Sequence, residues 1–189
     1  MKSLILATAL GLASTAAMAA EKYTLDSSHS QVVFNYSHLG FSTTYGMFSG
    51  IEGEIMFDEE APEASSVNVS MPVMSMFTGW EQRDDHFMSG DFFGAEEGDM
   101  VTFTSTGIEV TGEDTALITG DLTMNDTTKS VVLDAKLNQK GDHPMAGKAW
   151  MGFDATTNIT RSDFGVGAFA PAISDDVNIM ISVEAMKAE

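Results

Sequence analysis

The sequence predicts an all-β domain of about eight antiparallel strands, built as a sandwich or an up-and-down barrel. Three observations carry this reading. From Tyr23 onward the apolar residues recur at every second position rather than at a 3.6-residue spacing. Turn-forming clusters separate the alternating runs: Thr111-Gly112-Glu113-Asp114, Met124-Asn125-Asp126 and Lys140-Gly141-Asp142. One clear helical stretch stands out, 79–89, in which Trp80, Arg83, Phe87 and Met88 lie among polar residues and Gly90 closes the run.

The elements follow in chain order. Met1-Lys2, an uncharged stretch from Ser3 to Ala16 and the A-x-A site Ala17-Met18-Ala19 predict a cleaved secretory signal peptide, 1–19, followed by a single domain, 20–189. Removing those nineteen residues and their one lysine leaves 170 residues at a net charge of −20. Phe34, Tyr36 and His38 share one strand face against Val33, Asn35 and Ser37. Ile55 and Phe57 oppose Glu54 and Met56, and Val67, Val69, Met71 and Val73 make the next apolar face. Then come Val101 and Phe103, followed by Ala116, Ile118, Leu122 and Met124, and then Val131, Leu133, Ala135 and Leu137. Phe153 begins a strand toward Ile159, and Val177, Ile179, Ile181 and Val183 form the last face.

Composition excludes several functions. The 189 residues include 28 acidic and 9 basic side chains, a net −19, so broad binding to nucleic acid or anionic headgroups is disfavoured. No cysteine is present, which removes disulfides, thiolate metal sites and cysteine nucleophiles, and with them a lipoprotein anchor. A barrel spanning the outer membrane fits poorly, because several strands carry Thr, Asn, Asp and Glu on their second face. A soluble exported protein, periplasmic and without stable membrane insertion, is expected.

The interior is rich in Met and Phe, which adapt to irregular ligands and equally well pack a solid core. Strand alternation alone does not separate a filled barrel from a hollow one. Each buried CH₂ of a chain-like lipid is worth roughly 0.8 kcal/mol, so about ten carbons supply on the order of 8 kcal/mol before entropic costs.

Several segments in order resemble one family: Tyr23-Thr24-Leu25-Asp26 with His29-Ser30, His38-Leu39-Gly40, Gly46-x-Phe48, Gly53-x-x-x-Phe57-Asp58, Arg83-Asp84-x-His86-Phe87, Ser89-x-Asp91-Phe92-Phe93, Phe103-x-Ser105, and Arg161-x-Asp163-Phe164-Gly165. Together they resemble the YceI-like family of bacterial periplasmic lipid-binding proteins. Two places depart from its pattern: Phe87 where Leu is usual, and Gly98-Asp99-Met100 in place of an aromatic-Pro pair. The resemblance implies an extended lipocalin-like antiparallel eight-stranded β-barrel with one short helix near the mouth. It implies an apolar tunnel for an isoprenoid lipid, either a polyprenyl pyrophosphate or a ubiquinone-like quinone, held for transport or storage without a cofactor, and a homodimer. The residues expected to line that tunnel are Phe34, Tyr36, Phe41, Phe48, Met74, Met76, Phe87, Phe92, Phe103, Met124, Trp150 and Phe153. His38, Arg83 and His86 are expected to meet the head group at the mouth.

Catalytic and metal motifs are sparse. His29, His38 and His86 lack metal-ligand spacing and are expected to bond locally. Arg83-Asp84-Asp85-His86 reads as an Arg-carboxylate pair and cap that fix the helix, and Arg161 with Asp163 as a pair at a turn. The methionines between Met71 and Met76 are a weak copper(I) candidate. Two further readings are an enzyme acting on an isoprenoid or quinone, and a filled-core stress-response protein.

Overall fold

The computed structural model describes residues 20–189, so the expected leader, 1–19, lies outside the described residues. The strands are β1 (Glu21–Leu25), β2 (Gln31–His38), β3 (Ser42–Phe48), β4 (Glu52–Phe57), β5 (Ser66–Pro72), β6 (Met100–Val110), β7 (Thr115–Met124), β8 (Thr127–Asp142), β9 (Ala149–Thr160) and β10 (Asp176–Lys187). One helix, α1 (Glu81–Met88), falls between β5 and β6, and 3-10 turns occupy Pro62–Ala64, Val73–Ser75 and Arg161–Phe164. No helix among the described residues is long and apolar enough to cross a membrane.

All the ladders are antiparallel. They run β1-β4-β5-β6-β7-β8-β9-β10, and β10 returns to β1, so the sheet closes into a barrel. β10 pairs with β2 through Asn178 to Ser182 and with β1 through Ala185 to Lys187. β1 and β2 are thus two halves of one stave, and β3 and β4, which pair with them, are two halves of the next. Ten strands therefore make the eight staves expected from the sequence.

Local chemistry explains both breaks. Between β1 and β2, the Asp26 carboxylate accepts the Ser28 backbone N–H at 3.0 Å and the Asp26 carbonyl accepts the His29 N–H at 3.1 Å. This side-chain-closed turn lifts the chain out of the ladder. Between β3 and β4, Gly50 at φ +66° makes a bend that a β-carbon would strain.

Strand parity sets what faces inward. In β6, Val101 and Phe103 face the interior, a bulge follows between Ser105 and Gly107, and Ile108 and Val110 then face inward on the opposite parity. The outer face mixes polar side chains with a few exposed apolar ones such as Val132 and Met180. Asn158 donates to Asn178 at 3.0 Å and Asn178 to Asn35 at 3.1 Å, a ladder of amides across three strands.

The α1 end of the barrel is packed. Phe34 stacks near Phe48 (centroids 5.6 Å apart), Tyr36 near Phe87 (6.3 Å) and Phe87 near Phe92 (4.9 Å). Beneath them lie Phe164 and Arg161, both buried. Arg161 does not pair with Asp163 as expected. Its Nε donates to the Ser174 carbonyl at 2.8 Å, Nη1 to Val166 at 2.6 Å and Nη2 to Ile173 at 3.0 Å. The reason is that the 161–175 loop turns its carbonyls inward, and a planar fork satisfies three of them at once. The expected Arg83-carboxylate pair is also replaced. Asp84 accepts the Thr78 N–H at 2.9 Å and its hydroxyl at 2.5 Å, while the Arg83 guanidinium lies 5.4 Å above the Trp80 ring.

Gly53 sits in β4 at φ +143°, where a β-carbon would stand 2.2 Å from the Asn68 carbonyl oxygen and 2.7 Å from Val69 Cα. Because both contacts are to backbone, Gly53→Ala is expected to cost about 2 kcal/mol or more, read as a lowered denaturation midpoint with an unchanged slope.

Candidate ligand-binding cavity

The barrel encloses a cavity of about 280 Å³. Its wall is made by the inward face of nearly every stave: Val32, Ile55, Val69, Phe103, Ile118, Leu133, Phe153 and Ile181 are representative. Many of these inward aliphatics, including Val67, Leu133, Leu137, Ile179 and Val183, are only half-buried although they point away from bulk solvent. A filled core would have covered them.

The lumen is kept open by a row of small residues. Ala116 on β7 stands in register with Ala135 on β8, and Ala135 with Ala155 on β9. All three line the cavity. On β7, a β-carbon at Gly120 would meet the Phe103 ring at 2.3 Å, so the glycine lets that ring lie flat against the wall. An alanine belt across three adjacent staves removes the side-chain volume that would otherwise meet at the axis.

The residues singled out from the sequence divide between lumen, cap and surface. Phe48, Phe103, Met124 and Phe153 line the cavity. Phe34, Tyr36, Met76, Phe87 and Phe92 belong to the packed cap at the α1 end. Phe41 (91% exposed) and Met74 (57%) lie on the surface. Trp150 has the wrong parity for the lumen. Its indole N–H donates to the Glu184 carboxylate at 2.8 Å on the outer face. His38, Arg83 and His86 are not in the cavity wall. His86 bonds Asp91 at 3.0 Å and packs its ring against Phe92 and Phe169, so the aromatic cap stands between it and the void.

Sequence reasoning missed the other end. There the wall runs out to Pro62, Ser65, Val110 and the β6–β7 turn Gly112 to Thr115, where Gly112, Glu113 and Asp114 are exposed. The signal for it was the polar turn Thr111-Gly112-Glu113-Asp114 itself, which sequence alone marks only as a break between strands. No His, Lys, Arg or Tyr lines the cavity among the described residues.

A second polar grouping lies outside the lumen. Asp26, His29 and Glu184 bring ligand-type atoms within 4.8 Å of one another. Their hydrogen bonds form a clasp: His29 Nδ1 to Asp26 at 2.7 Å, the Ser28 hydroxyl to Asp26 at 2.7 Å, and the Trp150 indole to Glu184. The Ser28 and His29 hydrogen bonds hold the Asp26 carboxyl below its ordinary value, and Asp26 raises His29 above its own. The clasp is therefore fully stabilising between the ordinary values of 3.8 and 6.5. It weakens as pH falls and Asp26 protonates, and as pH rises and His29 loses its proton. His29→Ala should lower the thermal midpoint more at about pH 5 than at about pH 9.

Filling the belt tests the cavity directly. Ala135→Phe should leave a folded barrel, because the added ring enters empty space, and should weaken uptake of an apolar fluorescent probe about tenfold or more.

Comparisons with known proteins agree with this architecture. Residues 23–185 match the model of the YceI-like domain. The chain is 39% identical over 175 residues to protein YceI of Escherichia coli, covering 93% of this chain and 91% of that one. The crystal structure of the Campylobacter jejuni YceI protein is 32% identical, with a TM-score of 0.72 over 81% of this chain and 90% of that one. A polyisoprenoid binding domain from Saccharophagus degradans, implicated in plant cell wall breakdown, is 14% identical but shares the fold, with a TM-score of 0.68 over 88% of this chain and 98% of that one. A match over almost the whole described barrel, together with relatives of this identity and coverage, makes the chain a member of the YceI-like family.

Proposed function

We propose that the protein is an exported carrier or store for one long apolar lipid of isoprenoid type, whose tail occupies the lumen. The observation that carries this is the void itself. An in-register alanine belt and half-buried aliphatic walls surround about 280 Å³ at the centre of a closed barrel. A cavity of this apolar character gains roughly 0.8 kcal/mol for each CH₂ it takes from water. The Saccharophagus degradans neighbour is described as a polyisoprenoid binding domain, which supports the same ligand class here.

Phe48, Phe103, Met124 and Phe153 are the aromatic and thioether contacts for the tail, with the aliphatics of β7 to β10 completing the wall. The role is binding rather than turnover. Supporting this, the lining among the described residues is mainly aliphatic and aromatic, its carboxylates Glu113 and Asp114 stand at the exposed rim, and the chemistry-bearing groups His29, His86 and Arg161 are engaged in local bonds elsewhere. The amide ladder on the outer face and the net charge suit a water-facing barrel working in the periplasm.

Native mass spectrometry of protein recovered from the exported fraction of its own host tests this. The expected spectrum shows a polypeptide beginning at Ala20 with one extractable lipid per chain. Bare polypeptide mass in repeated preparations, with nothing recovered by organic extraction, would overturn the carrier reading.

A further inference from the structure

We infer that the ligand's head group sits at the rim opposite α1, and that the carboxylates there make this chain select a neutral or cationic head over a phosphorylated one. The inference rests on the lipid-carrier reading and deepens it. The site is the cavity, and its two ends differ in kind. At the α1 end the lumen stops at Phe34, Phe48 and the rings behind them. The buried cation beyond them, Arg161, is spent on three backbone carbonyls. At the far end the wall itself becomes exposed, at Val110 and the β6–β7 turn. The ladder is also incomplete there. β5 pairs with β6 only from Met100 to Thr104, so below Ser105 the free edge of β6 faces the 3-10 turn Pro62–Ala64 instead of a strand. The junction there has no backbone ladder; at its upper limit the Val67 N–H donates to the Ser105 hydroxyl at 2.9 Å, and a rim without a ladder yields more readily than a hydrogen-bonded one.

Charge at this rim is one-sided. Glu113 and Asp114 are the charged residues of the cavity wall, and Glu63 lies between the wall residues Pro62 and Ser65. The neighbouring Lys140 is paired with Glu59, and Lys136 stands outside on β8, opposite Thr115. A diphosphate brought to this rim meets like charge beside a low-dielectric lumen, whereas an ammonium or a hydroxyl meets acceptors.

The test uses three probes with the same twenty-carbon tail: geranylgeraniol, geranylgeranylamine and geranylgeranyl diphosphate, each competed against one fluorescent apolar probe. The alcohol and the amine are expected to bind at least about tenfold more tightly than the diphosphate at low salt, with the gap narrowing as salt rises. The double variant Glu113→Gln, Asp114→Asn should shrink that gap by about threefold or more, and Glu113→Lys with Asp114→Lys should close or reverse it. Arg83→Gln, at the other end, should leave it unchanged. Diphosphate binding equal to that of the alcohol overturns the inference while leaving the carrier reading intact. So does a gap that ignores the rim variants or responds to Arg83→Gln. Binding of none of the three probes by a folded protein overturns the carrier reading and the inference with it.

Discussion

Everything in this molecule depends on one strand being shared. β10 carries β9 along one edge and, along the other, first β2 and then β1. Without the short β1 ladder the sheet would be open, and two edges of unpaired backbone would face water. With it, the number of staves is fixed at eight and so is the circumference. A barrel of eight staves has room at its axis for side chains or for one slim guest. The alanine row Ala116, Ala135 and Ala155 decides between these outcomes, because it falls at one height on three adjacent staves. Closure sets the width and the alanines leave it unused.

The asymmetry of the two ends follows from where the long connections run. The segment between β5 and β6 carries α1, and the loop between β9 and β10 carries Phe164, Phe169 and the Arg161 carbonyl anchor. Both cross the same end of the barrel, and their aromatics stack into a cap over Phe34 and Tyr36. At the other end β6 and β7 are joined by a short turn, which has too few residues to cover anything. Its carbonyl at Asp114 instead accepts the Leu137 N–H at 2.8 Å, tying the rim to β8. One end is therefore a plug and the other a collar.

Much of this could be read from the sequence because period-two alternation reports sheet parity directly. The inward faces of β5, β7, β8 and β10 were identified by it, and for β9 only the strand from Phe153 toward Ile159. Three things resisted. β3, Ser-Thr-Thr-Tyr-Gly-Met-Phe, lacks alternating apolar residues because its first half lies on the surface and its Gly46 makes room for Phe34. The β6 bulge reverses parity within one strand, and nothing in Thr104-Ser105-Thr106-Gly107 marks it except the glycine. The third was the assumption that large apolar residues line a tunnel. Size draws Phe34, Tyr36 and Phe87 into the cap, where rings stack on rings, while the tunnel owes its existence to the smallest side chains at the inward positions. Ala116 and Ala135 were visible as members of apolar faces, while Ala155 lay unmarked in the strand from Phe153 toward Ile159. The common height of the three was not visible, because register between strands is not written in any one of them.

A hollow barrel carries an energetic cost that a filled one does not. Voids in protein interiors destabilise by about 24 cal/mol for each Å³, so an empty lumen of about 280 Å³ forgoes on the order of 7 kcal/mol of packing, a large share of what a domain this size has to spare. The cap, the Arg161 anchor and the Asp26–His29 clasp lie outside the lumen and do not depend on its contents. They hold the closed shape from without. A guest that fills the void restores the missing contacts and binds the folded state alone, so stability and loading are linked through the free ligand concentration. In this architecture the same empty volume that weakens the unloaded chain is the source of its affinity.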